Sequence, residues 1–365
     1  VAGNDPTQDQ LTIQTGGQNL DGWLTTSVVR GVELTPSHFS IGLTERFPGS
    51  GTQAVVVPGS TCKVMLGGDL ILTGYIDDYA PTYDAGTHTV TITGRSNTED
   101  VVDSSYTGGI SNNMLNGPWM IDGGSLKKLV TQILKQVPNV GLTMDDADDV
   151  TLKYPYPVSP GESIYSVIEN LCRMASRLLW DDAKGNLVIS QVGSTRAGSA
   201  LVEGQNVEAA AVQIDWSQRF YQIFVINTAQ AINSINIGVL GKSDPDTQIR
   251  QGRIKLIIAD SNLGPDNELA KQRADWEMNR RKGRSEIVQV HVTGWRDGAG
   301  TLWTPNTIVN VSLPTLKVNA DLVVAEAEWV RSDDFGTQTI LTLMPKGALQ
   351  PEPFLPPFGL NQAPD

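Results

Sequence analysis

Residues 58–94 and 305–344 repeat one succession of strands and turns, and no other feature limits the fold as strongly. The first stretch reads PGSTCKVMLGGDLILTGYIDDYAPTYDAGTHTVTITG and the second PNTIVNVSLPTLKVNADLVVAEAEWVRSDDFGTQTILTLM. Each opens on Pro and a turn residue, then alternates apolar and polar residues as a half-buried strand does. Each passes through Asp-Leu (Asp69-Leu70, Asp321-Leu322) into a second strand. Each closes on Asp-x-Gly-Thr-x-Thr and a β-branched residue, from Asp84 to Val90 and from Asp334 to Ile340. Glycine there supplies the positive φ of a tight hairpin. Unrelated hairpins share turn chemistry; the matching order of elements favours a duplication. Two like β units in one chain allow three chains to set six such units around a closed ring.

The flanking sequence agrees with a mainly β chain. Leu11-Thr12-Ile13, Phe39/Ile41/Leu43, Cys62/Val64/Leu66 and Val90/Ile92 give short strands separated by Gly and Pro, the spacing of a barrel or sandwich. The middle changes character. Leu126, Leu129, Val130, Ile133 and Leu134 follow helical spacing from Ser125. Ser159 and Glu162 form a capping box with Pro160 at the first helical position, and the apolar face from Ile164 through Leu171 to Leu178 and Leu179 predicts a long second helix. Residues 186–189 return as a strand. From Val212 the β pattern resumes, with Tyr221–Ile226 apolar on both faces and strands over Val288–Val292 and Val309–Leu313. A helix between them has Asp266 near its start and Gly283 as its stop. The divisions are 1–103, 104–204, 205–348 with a helical insertion near 245–283, and a Pro-rich tail over 349–365.

Composition narrows function by exclusion. The chain of 365 residues has 27 basic and 40 acidic side chains, a net charge of -13, which disfavours sequence-independent nucleic-acid binding. Its two cysteines, Cys62 and Cys172, cannot form a disulfide framework or a zinc ribbon. No apolar run reaches the ~20 residues of a membrane helix, and Val1–Gln10 has no signal-peptide character. The three histidines, His38, His88 and His291, lack the partners of a triad or a metal pair. Gly238–Ser243 lacks the first P-loop glycine, and Gly49-x-Gly51-x-x-Ala54 leads into a strand pattern. Asp145–Asp149 lacks an EF-hand's glycine and distal Glu and reads as a solvated acidic loop. Carboxylates such as Asp77-Asp78 and Glu326/Glu328 carry no glycosidase specificity. No catalytic residue, cofactor or metal site is assigned. Arg280, Arg281, Lys282 and Arg284 suit a helix C-terminus or an acidic partner. Trp295, Arg296 and Trp303 are of the types enriched at interface hot spots, so with Arg280 and Arg281 they are the candidates for a subunit contact.

The segments LTERFPG (43–49), LTGYIDDYAPTYDAGTHTVTITGRSNTEDVVD (72–103), RRKGRSEIVQVHVTGW (280–295) and TPNTIVNV (304–311) resemble the baseplate hub of Mu-like contractile-tailed phages. The resemblance reaches from the first β unit to about residue 349. It implies an α+β, mainly β fold. Two tail-tube-like antiparallel β-barrels lie within 1–103 and 205–348, with smaller α/β peripheral domains. It also implies a homotrimer forming a pseudo-sixfold ring, like the hub of T-even phages and the first part of the type VI secretion spike. Such a hub adapts the sixfold tail tube to the threefold central spike, contacts other baseplate proteins, and passes DNA without binding it specifically. It stands in the virion tail baseplate after assembly in the host cytoplasm, without stable membrane insertion. Two other readings follow from the residues: a carbohydrate-binding tail adhesin using Trp23 or Trp119, and a tail-associated cell-wall hydrolase.

Overall fold

The computed structural model describes residues 10–21, 23–43, 56–83, 88–108, 119–231, 234–259, 267–332 and 336–353. Its dominant element is one 14-stranded sheet. The strands from the N-terminal part are β1 (Leu11–Thr15), β2 (Gln18–Leu20), β3 (Thr25–Gly31), β4 (Leu34–Leu43), β5 (Thr61–Leu66), β6 (Asp69–Tyr83) and β7 (His88–Ser96). Those from later in the chain are β8 (Thr195–Arg196), β9 (Leu201–Val202), β10 (Val207–Ile214), β11 (Glu286–Thr293), β12 (Thr307–Leu313), β13 (Val318–Ser332) and β14 (Gly336–Met344). The spatial order is β10-β11-β14-β13-β3-β4-β7-β6-β5-β1-β2, with β12 also on β13 and both β8 and β9 on β12. Among the described residues no closed circuit of strands is formed. The alternation read from sequence sets the faces: Phe39, Ile41, Val64, Leu66, Val90 and Ile92 are buried, with Ser40, Lys63 and Thr91 turned outward. Gly94 leaves room for Phe39, whose ring would lie 2.6 Å from a Cβ at that position.

The duplication is a structural one. Strands β5-β6-β7 and β12-β13-β14 form two antiparallel meanders, each with a 15-residue middle strand. Each middle strand has a bulge at the same place. Asp77 is extra between the pairs Ile76↔Gly94 and Asp78↔Thr93, and Ala325 between Val324↔Leu343 and Glu326↔Thr342. The match extends outward. Thr26↔Ile41↔Ile92 in the first unit corresponds to Ala210↔Val290↔Leu341 in the second. Both units therefore have the order β3-β4-β7-β6-β5 or β10-β11-β14-β13-β12. The Asp-Leu pairs noticed in the sequence do not coincide. Cys62↔Gly74 matches Val309↔Leu322, so Asp321 corresponds to Thr73 rather than to Asp69. Of the closing turns, Asp84–Thr87 and Asp334 lie outside the described residues, while Gly336 has the expected positive φ of 69°.

Residues 101–189 carry a separate apolar core around helices α2 (Leu126–Ile133) and α3 (Ile164–Met174); a short helix α1 (Glu99–Asp103) leads into it. The helix α2 starts where the spacing predicts, and Ser125 caps it, accepting from the Lys128 amide at 3.2 Å. The expected capping box at Ser159 is displaced. Ser159 N–H does donate to Glu162 at 3.0 Å, but this closes a turn, and the helix starts after Ser163, whose Oγ accepts from the Ser166 amide at 3.1 Å. The helix also ends early. Ser176 takes φ 54°, and Leu178–Asp181 forms a strand against Leu187–Ser190. Strand Gln222–Ala231 lies between Ser234–Lys242 and Ile254–Ala259, with helix α4 (Asn267–Arg284) on one face. Ile223 and Val225 are fully buried on one face; on the other Ile226 is buried and Phe224 half-buried, so the two-sided apolar pattern holds in part. Asp266 falls outside the described residues. Gly283 does not stop α4, which runs to Arg284; a Cβ at Gly283 would lie 2.6 Å from the Ala348 backbone nitrogen. The glycine lets the turn at Lys346–Ala348 pack directly on the helix.

Candidate assembly surfaces

The two units meet inside the chain through backbone pairing. Strand β3 runs along the outer edge of β13, with Glu326 opposite Gly31 and Arg331 opposite Thr26. Trp329 faces Val28 there, both fully buried, and the Ser27 hydroxyl donates to Glu328 at 2.7 Å. Arg296 adds a second link. It is ion-paired with Asp69 at the turn between β5 and β6 and donates to the Leu66 carbonyl at 3.1 Å.

The candidate contact residues fall into two environments. Trp295 and Trp303 are each 2% exposed, so their indoles are already covered by this chain's own core. Trp295 donates its ring N–H to the Val330 carbonyl at 3.2 Å. Arg280 and Arg281 lie on α4 and are engaged within the chain. Arg280 donates to the Ala348 carbonyl and to Glu33, each at 3.2 Å, and stacks on Trp276. Arg281 pairs with Glu277 at 3.0 Å and lies over Phe220. Together with Arg284 and Asp215 they line a hollow of about 410 Å³ beside β10. The other aromatic candidates do not form an open platform. Trp23 is buried and donates to the Leu11 carbonyl, and Trp119 packs against the helical core.

Sequence reasoning missed a buried polar joint between the sheet and the helical part. Asp181 is fully buried. Its carboxylate accepts from the Ser37 amide at 2.9 Å, the Ser37 hydroxyl at 2.5 Å, the Thr98 hydroxyl at 3.1 Å and the Ser96 hydroxyl. Buried Arg30 donates to the Asp181 carbonyl at 3.1 Å. Burial pushes that guanidinium below its ordinary pKa, against the charges of Asp181 and Asp182. The acidic loop at Asp145–Asp149 is also more than solvated charge. Asp149 accepts from the Ser125 hydroxyl and the Lys127 amide at the start of α2, and Asp148 pairs with Arg177 at 3.2 Å. No metal-binding cluster is present among the described residues.

Large apolar side chains are exposed in three places that bear on assembly. Ile254, Leu256 and Ile258 form a row along one face of an edge strand, 54–64% exposed. Ile214 and Trp216, at the end of β10, and Tyr83, at the end of β6, are 62%, 45% and 87% exposed. Beyond Val207, which also bridges to Glu203, strand β10 pairs only with β11 among the described residues, and β6 beyond Ile76 only with β7. Open edges of this kind usually carry lysine or proline guards; β10 has neither.

A mainly β chain made of two like units, whose open strand edges stand out where a catalytic centre would be sought, has the build of a phage tail protein. Comparison with known proteins agrees. Residues 10–96 match the family model of the Mu phage baseplate assembly protein GpP-like N-terminal domain, and residues 266–352 match the fourth domain of GpP. Baseplate hub protein gp44 of Escherichia phage Mu is 26% identical over 351 residues, covering 92% of this chain and 88% of gp44. The 43 kDa tail protein of prophage MuSo2 from Shewanella oneidensis superposes with a TM-score of 0.81 at 26% identity, over 94% of this chain and 99% of that one. A tail protein of Neisseria meningitidis gives 0.77 at 16% identity over 94% and 98%. These matches support a Mu-like phage baseplate hub. These relatives are named as structural baseplate and tail proteins, and no catalytic activity is indicated. Among the described residues no helix is long and apolar enough to cross a membrane.

Proposed function

We propose that three copies of this chain form a ring at the base of the tail, adapting a sixfold tube to a threefold spike. The observation that carries this is the structural duplication. Two five-stranded units with the same strand order and the same bulge lie side by side in one chain, so three chains supply six like units. In the ring each unit serves as a tube-like barrel, within 1–103 and 205–348, and 104–204 with the region near 245–283 lies at the periphery. One face of the ring meets the tail tube or its terminal protein, the other receives the spike, and other baseplate proteins attach around it. The ring serves as a conduit for DNA. Each chain brings a net charge of -13, and an acidic channel wall repels the phosphate backbone, so DNA passes without adhering. The protein acts in the virion baseplate, and its role is assembly rather than turnover.

Light scattering after size exclusion tests the reading. A species near 118 kDa, three times 39.4 kDa, is expected. A monomer at every concentration, unchanged by added spike or tube protein, overturns it.

A further inference from the structure

We propose that the open edge of strand Ile254–Ala259 takes an extended segment of a partner protein as a further strand, and that this segment alternates apolar residues with carboxylates. The proposal stands apart from the ring reading, because the strand belongs to the separate three-stranded sheet and to neither of the two like units. In that sheet Ile254–Ala259 lies at the edge and pairs only with Gln222–Ala231 among the described residues. Ile223 turns its carbonyl to the Ser243 amide, at 3.0 Å, on the side away from this edge strand. Phe224, next along the chain and opposite Leu256, therefore turns its backbone groups to Lys255 and Ile257. The backbone N–H and C=O groups of Ile254, Leu256 and Ile258 are left on the open side.

The two side-chain rows of the strand specify its occupant. On one face stand the exposed Ile254, Leu256 and Ile258, so an added strand sets apolar side chains beside them. On the other face Arg253 and Lys255 alternate with that row, each held 5.2 Å from the centre of the Phe220 ring. The residues beside these cations fall at the alternate positions of the added strand, where carboxylates complement them. The surroundings have few carboxylates of their own. Residues 216–259 carry five Lys and Arg against two Asp, in a chain whose net charge is -13. Asp246 is committed to buried Arg219 at 2.6 Å, and Lys242, Arg250 and Lys255 make no ion pair among the described residues. An anionic bilayer would also match the cations and the apolar row, but it leaves the open backbone groups without partners. A strand satisfies them, as when extended peptides add to an exposed sheet edge.

Synthetic peptides test this on the full chain. The probe is a fluorescein-labelled nonapeptide alternating Val and Glu. One control carries Lys in place of Glu; the other is fully N-methylated and cannot donate backbone hydrogen bonds. Fluorescence polarisation is expected to show saturable binding of the Val/Glu peptide, with both controls weaker by about tenfold or more. The R253E/K255E variant is expected to reverse the order of the two charged peptides, each shifting by about tenfold, because two cross-strand attractions become repulsions. In hydrogen exchange the bound peptide slows the amides of Ile254, Leu256 and Ile258, while those of Lys255 and Ile257 are protected with or without it. No binding of the Val/Glu peptide, or binding unchanged by N-methylation, overturns the proposal. Binding of the chain to phosphatidylglycerol vesicles, with no peptide-dependent slowing of the edge amides, overturns it in favour of a membrane surface. The N-methylated control uses the unaltered chain, so the test survives poor folding of the variant. None of these readouts depends on the mass of the assembly, so the ring reading stands or falls separately.

Discussion

Replacing Asp181 by alanine removes the acceptor on which the joint between the sheet and the helical part depends. Ser96 and Thr98 retain each other, since their hydroxyl oxygens lie 2.6 Å apart. The Ser37 amide does not: it loses its carboxylate acceptor in a fully buried site, a cost of ~1–3 kcal/mol. Arg30, 5% exposed, loses one of two nearby negative charges while its Nε already has no partner among the described residues. Removing one side of a buried charge arrangement costs ~3–5 kcal/mol. These contributions share groups and do not add in full, so the expected loss is ~4 kcal/mol, a large part of the ~5–15 kcal/mol that holds a protein folded. Asp181→Asn keeps one acceptor oxygen and is expected to lose about half as much. Pairing Asp181→Ala with Arg30→Met removes the stranded charge and should recover ~2 kcal/mol by the same reasoning. Urea unfolding followed by tryptophan fluorescence reads all three. A loss below ~1 kcal/mol for Asp181→Ala, or no recovery in the double variant, refutes the reasoning, because buried unpaired donors and charges cannot be that cheap.

Glu99 predicts a pH dependence. Burial, then the charge of Asp77, pushes its carboxyl up to about 7 from 4.5, and Arg95 offsets this only in part. The folded protein therefore binds a proton more tightly than the unfolded chain. Stability is highest below the unfolded value and falls as pH rises from about 4.5 to about 7. Glu99→Gln should flatten that slope and raise the urea midpoint at pH 8; an unchanged slope contradicts it. Gly283→Ala would gain ~1 kcal/mol in an ordinary helix interior. Here the new methyl meets the Ala348 backbone at 2.6 Å, and overpacking costs ~1–3 kcal/mol, so the net effect is a loss of up to about 2 kcal/mol. A raised melting temperature would show that the turn yields.

Local patterns were readable wherever one face of an element is buried. The alternation in β4, β5 and β7 and the helical spacing of α2 follow directly from residue order. The end of α3 was not readable, because Leu178 and Leu179 continue the helical period. Only the turn at Ser176 and the pairing with Leu187–Ser190 make them a strand, and short apolar runs do not separate those states. Asp181 gave no signal beside Asp182, since its partners Ser37, Ser96 and Thr98 come from elsewhere in the chain. Trp295 and Trp303 have the composition of a hot spot but sit in the core, a distinction that only tertiary packing makes. The repeat was visible, yet its alignment slipped at Asp-Leu, because register is set by cross-strand pairs and the bulge rather than by matching letters.

The pairing of β3 with β13 also orders events in time. Residues 25–31 leave the ribosome long before residues 326–331 and must wait for them before their outer edge is covered. Contacts so distant in sequence form slowly. During that interval every nascent chain carries a naked strand that recognises the late segment of any copy, its own or a neighbour's. On one polyribosome, where copies are crowded, strand exchange through β3 competes with correct closure. Slowing translation between the codons for β3 and those for β13 would lengthen that window, and the yield of exchanged dimers would rise with it.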